Sequence, residues 1–164
     1  MPPVKTTPKN LRPYIFHGVD LSWSEGDENA VGTCPFCLKE RKFSVRIDSG
    51  IARCFVCAVG NSKGGINPLS FLRELWRVSF EQTKPSEYDP LAKERRLLHA
   101  DTLISWELAR SITGGEWLIP GYSADGKIHQ VYRYVRTVDP KKGKVSHRWM
   151  ATPGVHEEGK AQGV

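Results

Sequence analysis

Two short stretches of sequence decide the fold: Cys34-Pro35-Phe36-Cys37 and Cys54-Phe55-Val56-Cys57, with sixteen residues between them. All four cysteines of the chain lie in these two CxxC pairs. The spacing is typical of a zinc site to which each pair contributes two thiolates. Four thiolates complete a tetrahedral shell without an open position, so the pattern predicts one structural zinc ion rather than a catalytic one.

Two other kinds of cysteine chemistry fit part of this pattern. Two disulfides would suit an oxidising compartment, but the N-terminal sequence has no apolar core of a secretory signal. A thioredoxin-like redox motif needs one CxxC inside a βαβ pattern, and neither pair is surrounded by one. No apolar run approaches the length of a transmembrane helix. We therefore expect a reducing, cytoplasmic location.

The residues between the two CxxC pairs predict a β-hairpin. Phe43 to Ile47 alternates apolar and polar side chains, which is typical of a half-buried strand. Asp48-Ser49-Gly50 is a turn signal, and residues 51–54 form the returning strand. The hairpin brings the second pair back to face the first. The expected structure is a zinc ribbon, a small antiparallel sheet that carries the metal.

The rest of the chain predicts an α+β protein with a second module. Asn67-Pro68 marks a helix start, with Asn as the N-cap and Pro at the first helical position. Pro85 and Pro90 lie among polar residues and predict a linker. The expected segments are a disordered tail 1–9, a zinc-ribbon domain 10–81, a linker 82–92, a basic α+β module 93–154 and a disordered tail 155–164.

The charge of the chain favours a polyanionic partner. The formal net charge is +6, and the pI is about 9.2. A basic balance points chiefly to nucleic acid, although a solvated basic surface gives the same count. The charge is concentrated between Gly126 and Met150, where seven Lys or Arg accompany a single acid, Asp139.

Cationic residues close to aromatic ones are the candidates for contact with single-stranded DNA, because cations bind phosphates and rings stack on bases. In the ribbon they are Lys42, Arg46, Arg53 and Lys63, near Phe36, Phe43 and Phe55. In the second module they are Arg133, Arg136, Lys142, Lys144 and Arg148. The alternatives are core packing for the rings and, for the cations, a solvated sheet edge protected against aggregation.

Several of these motifs together resemble the N-terminal zinc-binding domain of bacterial and phage-type DNA primases. The matching stretches are Cys34 to Cys37, Lys42-Phe43-Ser44-Val45, Cys54 to Cys57 and Gly64 to Phe71. In that family a zinc ribbon precedes a helix whose start reads roughly Gly-Asp-x-Ile-x-Phe, and Gly65 stands here at the acidic position. Many cellular members have His as the second ligand, whereas Cys37 resembles the all-cysteine phage form. Residues 117–136 are similar to the basic start of the family's polymerase domain.

This resemblance implies a zinc-binding module that helps to read a single-stranded DNA template during primer synthesis. The family's catalytic Toprim domain holds divalent metals with a Glu and an Asp-x-Asp pair, and no Asp-x-Asp occurs in these 164 residues. We assign no catalytic residue, and we expect part of a truncated or split primase. It would act with a Toprim domain or a replicative helicase in trans, in a bacterial or phage-infected cell. The alternative is a zinc-ribbon adaptor or decoy that binds a protein of a replication complex.

Overall fold

The computed structural model describes residues 6–57, 59, 65–96 and 99–155. The chain divides into two compact units. Unit 1 contains the described residues up to Phe71 together with those from Thr152 onwards, and unit 2 spans Leu72–Ala151. The predicted tails, 1–9 and 155–164, lie mostly outside the described residues, although Lys9 already belongs to a 3₁₀ turn, Lys9–Leu11.

Unit 1 is built on a four-stranded antiparallel sheet in the order β1-β2-β3-β4. Its strands are β1 (Leu21–Ser22), β2 (Asn29–Gly32), β3 (Phe43–Arg46) and β4 (Ala52–Cys54). A short helix, α1 (Arg12–Phe16), precedes the sheet. Strands β3 and β4 form the hairpin predicted between the two CxxC pairs, with Phe43 opposite Cys54.

The core of unit 1 contains a cluster of aromatic rings. Along β3, alternate side chains are buried, so one face of the strand points into the core. The ring centroid of Tyr14 lies 4.6 Å from that of Phe71, and Phe43 lies 6.0 Å from each of them. The Tyr14 hydroxyl donates a hydrogen bond of 2.5 Å to the carbonyl oxygen of Gly50. Helix α1 is thereby bound to the turn of the β3–β4 hairpin.

Helix α2 (Pro68–Gln82) begins where the sequence predicts. The side-chain Oδ1 of Asn67 accepts a hydrogen bond of 2.8 Å from the backbone N–H of Ser70. This is the N-cap arrangement, and proline is tolerated after it because the first helical N–H has no partner within the helix. The division between the two units falls inside this helix, between Phe71 and Leu72, whereas the predicted ribbon domain extends to residue 81.

Most of the predicted linker, residues 82–92, is helical, and only Thr83 and Lys84 lie outside the helical segments. A 3₁₀ turn, Pro85–Glu87, leads into α3 (Tyr88–Glu94), and the side chains of Tyr88 and Leu91 are buried. Pro85 opens the 3₁₀ turn, and Pro90 lies in the first turn of α3. The first N–H groups of a helix have no acceptor within it, so proline costs little there. The two prolines that predicted a linker therefore mark helix starts.

Unit 2 contains a second four-stranded antiparallel sheet in the order β5-β6-β7-β8. Its strands are β5 (Ala109–Arg110), β6 (Trp117–Tyr122), β7 (Ile128–Val138) and β8 (Val145–Ala151), and a helix α4 (Asp101–Ser105) precedes them. The buried core combines α3 and α4 with one face of the sheet and contains Tyr88, Leu91, Ala92, Leu103, Leu108, Trp117 and Tyr134. The predicted α+β class is confirmed by these two small sheets and their helices.

Candidate metal centre

The four cysteines come together at one end of the unit 1 sheet. Cys34 lies just after β2, and Cys54 is the last residue of β4, so the sheet itself brings the two CxxC pairs face to face. All four Sγ atoms lie within 4.8 Å of one another. Cys34 and Cys57 approach to 3.7 Å between Sγ atoms, and Cys37 and Cys54 approach to 3.6 Å.

These separations fit four ligands around one cation. With metal–sulfur distances of about 2.3 Å, the value for zinc, a tetrahedron places neighbouring sulfurs about 3.8 Å apart. A disulfide needs about 2.05 Å between the sulfurs, and all four cysteines are free thiols. The cluster can therefore hold a metal ion, with no position left for a substrate.

Both CxxC pairs adopt the same local turn. The Sγ of Cys54 accepts hydrogen bonds of 3.4 Å from the backbone N–H groups of Val56 and Cys57, and the thiol of Cys34 accepts from the N–H groups of Phe36 and Cys37. Such donors stabilise a thiolate and orient it. In addition, the N–H of each first cysteine is bonded to the carbonyl oxygen five residues later, at 3.1 Å in both pairs.

The surroundings of the thiols shift their pKa values in different directions. Burial raises the pKa of Cys34 well above its ordinary value, and burial also raises the pKa of Cys57. At Cys54, burial acts in the same direction, but hydrogen bonds from the N–H groups of Cys57 and Val56 and from the thiols of Cys57 and Cys34 together outweigh it and lower the pKa to about 7. Cys54 is therefore the thiol among these three that is most readily ionised near neutral pH.

The cationic candidates of unit 1 that the structure describes are exposed. Arg46 and Arg53 share the open face of the sheet, because Arg53 pairs with Ser44 and Arg46 follows two residues after Ser44. Arg46 forms an ion pair of 2.8 Å with Asp48. Lys42 is exposed immediately before β3, and Lys63 lies outside the described residues.

The three aromatic candidates of the ribbon separate into two kinds. Phe43 is fully buried, and Phe36 packs against Phe71 with ring centroids 5.9 Å apart, so both rings belong to the core. Phe55 is 63 % exposed. The guanidinium carbon of Arg53 lies 5.6 Å from the centroid of its ring. Phe55 and Arg53 therefore form an aromatic–cation pair that unit 1 presents to solvent.

The candidates in unit 2 are not all available for a ligand. Arg133 is half-buried and forms an ion pair of 2.5 Å with Glu116. Arg136 and Arg148 are exposed, but strand register places them on opposite faces of the β7–β8 hairpin, since Arg136 pairs with His147 and Arg148 with Val135. Lys142 and Lys144 are exposed in the turn that joins the strands.

Arg95 of unit 2 is not among the cationic residues that the sequence predicts to contact DNA. The guanidinium carbon of Arg95 lies 4.8 Å from the ring centroid of Tyr134. Arg95 directly follows the last residue of α3 and Tyr134 lies in β7, and no local sequence signal relates them. The contact arises from the packing of the helix onto the sheet.

The chain matches no protein-family model, and comparison with the curated proteins and with the solved structures found no significant match. Among the helices of the described residues, none combines the length and the apolar character needed to cross a membrane. The geometry by itself shows a four-cysteine centre that can hold a metal ion, at the end of a small antiparallel sheet.

Proposed function

We propose that the chain is a zinc-binding module that grips single-stranded DNA and serves as the template-recognition part of a primase-like protein. The observation that carries the proposal is the closed four-cysteine cluster at the end of a sheet whose open face presents Arg46 and Arg53. The motif resemblance to primase zinc-binding domains supports the same function. Polymerase activity is not part of the proposal, because the sequence contains no counterpart of the family's Asp-x-Asp pair.

The proposed roles follow from the chemistry of the side chains. Zinc is the ion that four thiolates in a closed tetrahedral site select most commonly in proteins. Arg46 and Arg53 would bind phosphates, and Phe55 would stack on a base. The side chains of Arg46 and Asp48 are both solvent-exposed, so their ion pair is weak. A phosphate can therefore replace the Asp48 carboxylate as the partner of Arg46.

The test is a fluorescence-anisotropy titration of the zinc-loaded chain with a short single-stranded DNA at several salt concentrations. We expect affinity to fall steeply between about 50 mM and about 200 mM salt, as it does when phosphates are neutralised by cations. The double variant Arg46→Ala, Arg53→Ala should bind about tenfold more weakly. The double variant Lys9→Ala, Arg12→Ala is the control, because it removes the same charge from exposed positions of unit 1 outside the sheet. Equal affinities for the two double variants would refute the assignment to the open face.

The exposed apolar residues around the two CxxC pairs support a second candidate function, a protein-binding adaptor of a replication complex. Leu38, Phe55 and Val56 are 72 %, 63 % and 51 % exposed beside the cysteines, and exposed apolar residues in one place are typical of protein-binding surfaces. The partner would be a Toprim polymerase domain or a replicative helicase. An adaptor would bind such a protein and show no salt-dependent affinity for DNA, whereas the template-binding module shows that affinity in the absence of any partner.

A further inference from the structure

The β7–β8 hairpin presents three opposed residue pairs on one face. The pairs are Tyr134 with Trp149, Arg136 with His147 and Val138 with Val145. Because alternate side chains of a strand point to the same side, all six side chains belong to one face of the hairpin. The face is buried at one end, where Tyr134 joins the core of unit 2. At the other end Val138 and Val145 are 51 % and 41 % exposed.

Three rings on this face, those of Tyr134, His147 and Trp149, form a contiguous group that we call the aromatic strip. The Tyr134 and His147 rings are stacked, with centroids 5.1 Å apart and planes at 13°. The Trp149 centroid lies 4.9 Å from that of Tyr134. Tyr134 is buried while Trp149 is 38 % exposed. The strip is therefore anchored by Tyr134 and offers the indole of Trp149 to solvent.

The charges around the aromatic strip are mostly positive. The Arg95 guanidinium lies over the Tyr134 ring, and exposed Arg136 stands directly opposite His147. The acid at the strip is Glu94, whose Oε1 accepts a hydrogen bond of 3.1 Å from the Tyr134 hydroxyl and lies 3.6 Å from Nδ1 of His147. The turn beyond the strip adds Lys141, Lys142 and Lys144 against Asp139.

We propose that the aromatic strip is a base-stacking site for single-stranded nucleic acid, separate from the open face of the ribbon. A base would stack on Trp149, and Arg136 and Arg95 would bind the adjoining phosphates, which is how proteins hold single strands without reading their sequence. The proposal takes its ligand class from the proposed function and adds Trp149, Arg95 and His147 to the residues that bind it.

The experiment separates base stacking from charge attraction. The full chain is titrated with a short oligothymidylate and with a strand of equal length and charge that lacks its bases. Loss of the bases should weaken binding to the natural chain by more than about tenfold, because it removes the stacking contacts of both Trp149 and Phe55. Trp149→Leu should bind the normal strand about tenfold more weakly. It should lose less than the natural chain when the bases are absent, because only the Phe55 contact remains. Trp106→Leu is the control, because Trp106 is also exposed and lies outside the strip.

Two further variants keep the test decisive if Trp149→Leu fails to fold. Trp149→Phe retains a ring and should retain most of the base-dependent affinity, while the quenching of tryptophan fluorescence by the bound strand decreases. Glu94→Gln keeps a hydrogen-bond acceptor for Tyr134 and removes a negative charge, so binding at low salt should tighten by about twofold. If a folded Trp149→Leu shows the base dependence of the natural chain, or if the bound strand quenches the fluorescence of Trp149→Phe as much as that of the natural chain, the aromatic strip is not a stacking site.

The outcome is distinguishable from that of the ribbon test. In the Arg46→Ala, Arg53→Ala variant, the base dependence contributed by Trp149 should persist although overall affinity falls. An affinity that Arg46→Ala, Arg53→Ala leaves unchanged, together with an intact Trp149 effect, would refute the ribbon assignment alone. A loss of affinity in that variant, with no effect of Trp149→Leu, would refute the strip alone. Running the titrations with matched RNA and DNA strands shows which of the two binds more tightly. Binding of an acidic peptide, in place of either strand, would overturn the proposal.

Discussion

Cys34 and Cys54 are each the first cysteine of a CxxC pair, yet their pKa values are shifted from the ordinary value in opposite directions. Each thiol accepts two backbone N–H donors. At Cys34 burial outweighs the backbone donors. At Cys54 the backbone donors and the neighbouring thiols together outweigh burial and lower the pKa to about 7. Near neutral pH, a large fraction of Cys54 is therefore already the thiolate that binds a cation, whereas Cys34 must lose its proton when the cation binds.

At the residue scale, loss of one ligand should remove the metal and unfold unit 1. We expect Cys34→Ser to retain no stoichiometric zinc, because a hydroxyl is a poor substitute for a thiolate in a four-sulfur site. Structural zinc contributes on the order of 10 kcal/mol to the folding of small zinc domains. Metal analysis and circular dichroism measure the loss. Val56→Ser is the control. Val56 is an exposed residue between Cys54 and Cys57 and is not a ligand, so this variant should keep the metal.

The pKa directions predict how the metal site responds to acid. Bound thiolates compete with protons, so metal affinity must fall as the pH falls. Because burial raises the pKa of Cys34 and Cys57, both must release protons on binding at neutral pH. Below about 7, the pKa to which Cys54 is lowered, this thiol must release one as well, and the decline steepens. Competition with a chromophoric chelator between about pH 6 and about pH 8 tests this. An affinity that is independent of pH would contradict a site made of four thiolates.

At the element scale, the start of α2 shows a local signal that acts as the sequence predicts. Asn67 caps the helix through the N–H of Ser70, and Pro68 follows it. Pro85 and Pro90 predicted a linker, but in the structure both prolines lie in the first turns of helical segments. Proline in a polar stretch indicates where a helix cannot continue, but the same residue is favourable where one begins.

Removal of the α2 cap gives a quantitative prediction. Asn67→Ala should lower the free energy of unfolding by about 1 kcal/mol, because the N–H of Ser70 loses its acceptor. Thermal or denaturant unfolding of the zinc-loaded chain measures the change. Ser70→Ala leaves the backbone donor in place and should change stability by less. A loss in Ser70→Ala as large as that in Asn67→Ala would show that the cap contributes little.

At the scale of the whole molecule, each of the two units has its own core. Unit 1 contains the four-cysteine centre and the ring cluster of Tyr14, Phe43 and Phe71. Unit 2 buries Tyr88, Trp117 and Tyr134. All four cysteines of the chain belong to unit 1. The metal therefore contributes directly to the stability of one core only.

Removal of the metal should affect the two units differently. With a strong chelator we expect backbone amides of β3 and β4 to lose their protection from hydrogen exchange, because a small core depends on its metal. Amides of β6 and β7 should keep most of theirs, because the core beneath them is built without cysteine. Exchange measured with and without chelator tests this. Simultaneous loss of protection in all four strands would show that the chain unfolds as one cooperative unit.

The sequence by itself determined the features that depend on neighbouring residues. The CxxC spacing identified the four thiols, alternation identified the β3–β4 hairpin, and Asn67 marked the start of α2. Such patterns work because strand alternation, turns and caps are set by residues a few positions apart. For this reason the α+β class and the complete cysteine set were predictable.

Only the tertiary structure decided the features that depend on distant residues. It folded residues 85–94 into helix, because Tyr88 and Leu91 gain a core to be buried in. It placed Arg133 in an ion pair with Glu116, and it placed the guanidinium of Arg95 over the ring of Tyr134. These contacts join separate elements, and a sequence pattern carries no information about which distant side chains will meet. The α+β class and the β3–β4 hairpin could be predicted from local spacing, whereas the partners of each charged side chain followed from packing.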